Sequence, residues 1–199
     1  MPVPAVTELP VSTESQHVMG QMWAAVAVVH AQEAEYLREL RRVRDLEGYR
    51  VILARLYGFQ RRAEEMICTV DWTEAGIDPR LMCRAASLRV DLAALGMNER
   101  ACEELPVCEL APIKTLPQAI GVAFVLLGSV AGAPTMATWI SEALPQPPLS
   151  FFRDGGKVTW RQFAAAANRL LPDAASRAVA TQAAVDTMSR LVTVSKPAA

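Results

Sequence analysis

Two groups of residues in this 199-residue chain have the type and spacing to do chemistry: a histidine on an apolar helical face, and glycines at helical spacing in an uncharged run. His30 falls in step with Met22, Val26, Ala34 and Leu37, which recur every three or four residues and so share one face of a helix. Val26 and Ala34 are small and leave room beside the ring. A neutral imidazole in that position can ligate iron; the alternative is a core histidine bonded to a backbone carbonyl. His17 has more polar neighbours and reads as a surface residue.

The second group lies between Thr115 and Ser141, where there is no charged side chain. Gly128 and Gly132 are four residues apart and share a helix face, and Pro134 follows closely. Inside a helix each glycine costs about 1 kcal/mol against alanine and a proline about 3. Pro134 has no N–H for the carbonyl of Val130, so a kink is predicted there. A face without side chains admits a flat ligand directly against the backbone. Close helix–helix packing is the other use of such spacing.

The elements that must position these residues are helices. Ala, Leu and Arg recur at helical spacing, and the β-branched runs of a sheet are missing. Helices are predicted at about 13–42, from Asp45 through Met66, from about Pro79 to a cap at Gly96, at 116–143, 159–171 and 173–192. Residues 97–114, with Pro106 and Pro112, read as an irregular connection, and 145–156 as a second one. One domain over 13–194 is expected, with tails at 1–12 and 195–199. Residues 119–140 are long enough to span a bilayer. Their glycines, their proline and the lack of a flanking basic cluster favour a buried core helix instead.

The remaining features are bland. Glu64-Glu65 and Glu103-Glu104 are adjacent pairs that point apart on a helix and suit acid–base work poorly. Arg38, Arg41, Arg42 and Arg44 read as a solvated basic face. The four cysteines form no Cys-x-x-Cys pair and read as free thiols of a cytoplasmic protein. The N-terminus has no basic region followed by an apolar core, so no secretory signal is expected. A net charge of −1 gives no bulk attraction to nucleic acid or anionic membrane. No phosphate loop, nucleophile elbow or His-Glu-x-x-His is present.

Four stretches, in order, resemble the biliverdin-producing heme oxygenases of bacteria. The run Gly121-Val-Ala-Phe-Val-Leu-Leu-Gly-Ser-Val-Ala-Gly-Ala133 is similar to their distal-helix signature, roughly G-x-x-Y-V-L-E-G-S-x-L-G-G. Gly48-Tyr49-Arg50 through Leu56-Tyr57-Gly58-Phe59 resembles their second helix. Ser87-Leu88 through Asp91-Leu92 to Gly96 resembles a further helix. Phe151-Phe152, Gly156 and Trp160 through Phe163 resemble a connector.

The resemblance implies an all-α, single-domain helical bundle with a kinked central helix, binding heme as both substrate and cofactor. It implies His30 as the proximal iron ligand. Gly128 and Gly132 would let the backbone approach the porphyrin beside Phe124 and Ala133, and Ser129 with water would donate to iron-bound dioxygen. The products would be biliverdin, carbon monoxide and ferrous iron, with electrons from an external reductase or ferredoxin. A monomer is the default state.

The chain departs from the pattern at Phe124 (Tyr in the family), Leu127 (Glu), Ala133 (Gly) and Pro134, and Trp23 or a neighbour stands where a basic residue is usual. Arg161 and Arg169 are the candidate propionate anchors. The alternative is a member of the fold that binds heme, a bilin or a protein partner without turnover.

Overall fold

Local signals start and stop most of the elements. Asp45, in extended backbone, accepts the Gly48 N–H at 2.7 Å and opens a helix. Thr159 and Gln162 cap another reciprocally, the Thr159 N–H donating to Gln162 Oε1 at 2.9 Å and the Gln162 N–H to Thr159 Oγ1 at 3.2 Å. Gly96, at φ 83, ends a third in the left-handed conformation that glycine adopts without strain.

The computed structural model describes residues 15–32 and 42–194; of 15–17, 32 and 194 it describes the backbone alone. Among the described residues there are eight α-helices and no strand: α1 Ser15–Gln32, α2 Leu46–Cys68, α3 Ala85–Ala94, α4 Glu99–Glu103, α5 Leu116–Ala143, α6 Ser150–Arg153, α7 Trp160–Leu170 and α8 Ala174–Val194. Two 3-10 turns, Thr73–Ala75 and Pro79–Met82, join α2 to α3. The two expected tails, residues 33–41 of the expected first helix with Ala34, Leu37, Arg38 and Arg41, and the side chain of His17 lie outside the described residues.

The central element is α5. Every residue from Ala119 to Leu127 is buried, whichever way it points. α5 packs most extensively along α8 and also meets α2, α6 and α7, while α1 lies on α8 and α7. By length and composition α5 could cross a membrane. Here it is the core of the bundle, where a helix apolar all round belongs. The helix runs on past Pro134 to Ala143, and the Pro134 carbonyl accepts the Thr138 hydroxyl at 3.1 Å.

Three details differ from the expected elements. The helix foreseen from Pro79 is a 3-10 turn followed by a break, because Arg84 leaves helical backbone (φ −134) and the N–H groups of Arg84 and Ala85 both go to Glu64. The connection 97–114 holds the short α4, started by Asn98 accepting from the Ala101 N–H. The Phe151-Phe152 connector holds α6, a single helical turn.

Candidate functional site

At about 100° per residue, Gly121, Gly128 and Gly132 fall within about 40° of one line along α5. They do different work. A Cβ on Gly121 would lie 2.2 Å from the Ala180 carbonyl oxygen and 2.9 Å from the Ala184 nitrogen, so this glycine exists for close packing of α5 on α8. A Cβ on Gly128 would meet nothing within 4 Å. One on Gly132 would meet the Met136 Cε at 3.2 Å, the far end of a flexible side chain on the same helix. Close packing therefore accounts for Gly121, while Gly128 looks onto open space.

One turn before Gly128, Phe124 reaches two other helices. Its buried ring lies 6.4 Å from Trp23 of α1 and 5.4 Å from Trp160 of α7, tilted against both. Trp23 in turn lies 5.6 Å from His30, two turns further along α1. Gly128 is about 40° round the helix from Phe124. Gly128 thus lies between the line of Gly121, about 20° away, which packs on α8, and the line of Phe124, which meets Trp23 of α1. Met22 and Val26 are buried as the periodicity requires, His30 is half-buried, and Trp23 is 41% exposed. Burial lowers the His30 pKa from its ordinary value, so the imidazole is neutral near pH 7.

Ser129 and Ala133 face elsewhere. Each lies about 100° round the helix from the neighbouring glycine. Ala133 is buried and lines a groove of about 560 Å³ between the second half of α5 and α6, with Val130, Pro134, Ala137 and Phe152. The Ser129 hydroxyl donates to the Leu126 carbonyl at 2.7 Å and accepts from Arg84 Nη2 at 2.6 Å. Its single proton is therefore engaged within the protein.

Arg84 is 1% exposed and is the centre of a polar node that the sequence did not reveal. Its Nη1 donates to the carbonyls of Phe151 and Asp154 at 3.4 and 3.2 Å, and its guanidinium carbon stands 4.4 Å over the Phe151 ring. Burial lowers its pKa, and the charges of Asp154 and Glu64 oppose the shift. A guanidinium stays charged through such a change.

Glu64 accepts from Gln60 Nε2 at 2.7 Å and from the backbone N–H groups of Arg84 and Ala85 at 2.6 and 2.9 Å. Burial raises the Glu64 pKa, and these donors act against that rise. The Asp154 carboxylate takes the Ser87 hydroxyl and the Gly156 N–H. A legible signal for Glu64 existed: it stands four residues after Gln60 on the buried stripe that runs through Leu53, Leu56 and Ile67. Arg84, at a break between elements, has no such period.

The quoted sequence stretches meet physically. Asp91, fully buried on α3, accepts the Ser150 and Phe151 N–H groups at 2.7 and 2.9 Å and so caps α6. The Tyr49 hydroxyl of α2 donates to the Pro148 carbonyl at 2.8 Å. Of the two candidate anchors, Arg169 donates to the carbonyls of Glu74 and Ala75, holding the first 3-10 turn, and Arg161 is exposed. Among the described residues no three His, Cys, Asp or Glu side chains are grouped to hold a metal ion. The chain matches no protein-family model and no curated protein.

Proposed function

We propose that this chain is a heme-binding protein of the heme oxygenase type, which cleaves heme to biliverdin, carbon monoxide and ferrous iron with electrons from an external reductase or ferredoxin. The reading is supported by two features together, the open backbone at Gly128 on α5 and a neutral, half-buried histidine on α1. A flat macrocycle needs a surface without side chains on one side and a nitrogen donor on the other. Bound heme supplies the redox iron and is also the carbon skeleton that is opened.

The residues divide the work. His30 would hold the iron from α1. Gly128 and Gly132 would let the α5 backbone approach the opposite face. Trp23, Phe124 and Trp160 would form an apolar wall that excludes water from one edge. With its proton on the Leu126 carbonyl, Ser129 acts through position: it joins Arg84 to the segment just after Gly128 and sets how near α5 comes. The bare backbone at Gly128 and Gly132 would then be the polar surface that α5 offers the macrocycle.

A second reading, a protein that binds heme or a bilin without turnover, is favoured by that engaged Ser129 hydroxyl. A hemin titration followed by absorption, with ascorbate and air added at the end, separates the two. A sharp Soret band that saturates at one heme and gives way to biliverdin absorption supports the enzyme. A saturable band that persists supports the binder. A broad band that never saturates removes both. The cytoplasmic, monomeric state proposed with this function is tested by fractionation and by gel filtration.

A further inference from the structure

The only sulfur pair in contact among the described residues is Cys68 with Cys83, whose Sγ atoms stand 3.9 Å apart. Cys68 is the last residue of α2 and is exposed; Cys83 directly follows the Pro79–Met82 turn and is half-buried. Both stand at element ends, where the backbone gives way more readily than inside a helix. Closing the pair requires the sulfurs to approach to about 2.05 Å, a movement that side-chain rotation and a small shift of the turn can supply. Cys102 is buried, and the Cys108 thiol donates to the Glu109 carbonyl at 3.7 Å.

We propose that Cys68 and Cys83 are an oxidation site, a thiol pair that closes to an intramolecular disulfide under a peroxide and fastens the end of α2 to the turn leading into Arg84. The exposed Cys68 sulfur attacks one peroxide oxygen. An S–O bond forms, the O–O bond breaks, and the sulfur becomes a sulfenic acid as one water leaves. Cys83 then attacks that sulfur. The S–S bond forms, the S–O bond breaks, and hydroxide departs with the thiol proton as a second water. Two thiols lose two electrons to one peroxide.

Burial, aided by the charges of Glu64 and Asp78, raises both thiols, while Arg80 acts in the opposite direction on Cys68. The pair is therefore a slow responder at neutral pH and a faster one in alkali. The loop it closes contains Trp72, whose indole donates to the Ile67 carbonyl, and the Thr73–Ala75 turn held by Arg169. Its far end adjoins Arg84, which holds Ser129.

Peptide mapping tests it. The reduced, desalted protein is treated with hydrogen peroxide at neutral and alkaline pH, quenched with iodoacetamide and digested with trypsin without reduction. Cleavage at Arg62, Arg80, Arg84, Arg100 and Lys114 puts Cys68 in 63–80, Cys83 in 81–84, and Cys102 with Cys108 in 101–114. The expected product is peptide 63–80 joined to 81–84, formed faster in alkali and reversed by dithiothreitol. The sequence separation of 15 predicts a Tm higher by roughly 6 to 12 °C after closure. In Cys83→Ser, Cys68 should stop at a sulfenic acid that dimedone traps. Cys68 oxidised to sulfinic acid with Cys83 still alkylated, or a bridge to 101–114, would overturn the assignment. A correct bridge with an unchanged Tm would overturn the fastening.

Discussion

Gly121→Ala and Gly128→Ala make the same chemical change on the same face of one helix, and the structure predicts opposite results. In a helix interior, glycine to alanine gains about 1 kcal/mol in propensity. At Gly128 nothing lies within 4 Å of the new methyl, so that gain is realised. For a chain of this length 1 kcal/mol moves Tm by roughly 2 to 4 °C, and Gly128→Ala should melt that much higher. At Gly121 the methyl would overlap the Ala180 carbonyl oxygen at 2.2 Å, the Ala183 Cβ at 2.8 Å and the Ala184 nitrogen at 2.9 Å. Two of these atoms belong to backbone, which yields only if α8 moves. Overpacking of that kind costs about 1–3 kcal/mol, and more where backbone must shift. After the propensity gain, Gly121→Ala should melt no higher than the parent and by as much as roughly 8 °C lower. Differential scanning calorimetry of the two variants decides the matter, and a hemin titration adds the functional half: affinity should fall in Gly128→Ala despite its greater stability. Equal melting shifts in the two variants would refute the division of the stripe, and unchanged hemin affinity in Gly128→Ala would refute the ligand face.

Three more outcomes are expected. Burial holds His30 below its ordinary pKa of 6.5, so below that pH the unfolded chain takes up a proton that the folded chain refuses. Stability should decline as pH falls through that value, and urea midpoints on either side of it should show less decline in His30→Leu. Arg84→Met should cost about 1–3 kcal/mol in urea unfolding, because the Phe151 and Asp154 carbonyls and the Ser129 hydroxyl lose their donor. Arg84→Lys should recover little, since an ammonium cannot span Ser129 and two carbonyls. Asp91→Ala removes two charged hydrogen bonds to the start of α6, at about 1.5–3 kcal/mol each, and Asp91→Asn should lose roughly half as much by the same thermal melt.

What could be read from the sequence was local. The bounds of α5, the Asp45 cap and the left-handed Gly96 follow from neighbours within four residues: an uncharged run stopped by prolines, a carboxylate before a helix, a glycine after a stripe. The burial of Met22 and Val26 beside His30 follows from the 3.6-residue period. That same period put Gly121, Gly128 and Gly132 on one line, but only the fold could say that α8 fills the first and leaves the second open. Arg84 was invisible for a different reason. Its partners Phe151 and Asp154 lie 67 and 70 residues away and offer backbone carbonyls, which no side-chain pattern records. The resemblance implied Ser129 as a donor to a ligand; one residue past Gly128 is about 100° of helix, and there the hydroxyl accepts from Arg84, a contact that no local pattern announces. The short helices α4 and α6 escaped because a single turn has no period to detect.

The unequal burial of α5 predicts that it opens in two steps. From Ala119 to Leu127 all sides are covered, and their amides should exchange with solvent only when the whole domain unfolds. Beyond Gly128 the helix has exposed positions at Ala131, Pro134, Thr135 and Thr138, and the Val130 carbonyl has no proline N–H to receive. The second half should therefore open on its own at lower free energy, about a boundary held by the Arg84–Ser129 bond. The open backbone at Gly128 lies at that boundary, so the looser half of the helix borders the face proposed for heme.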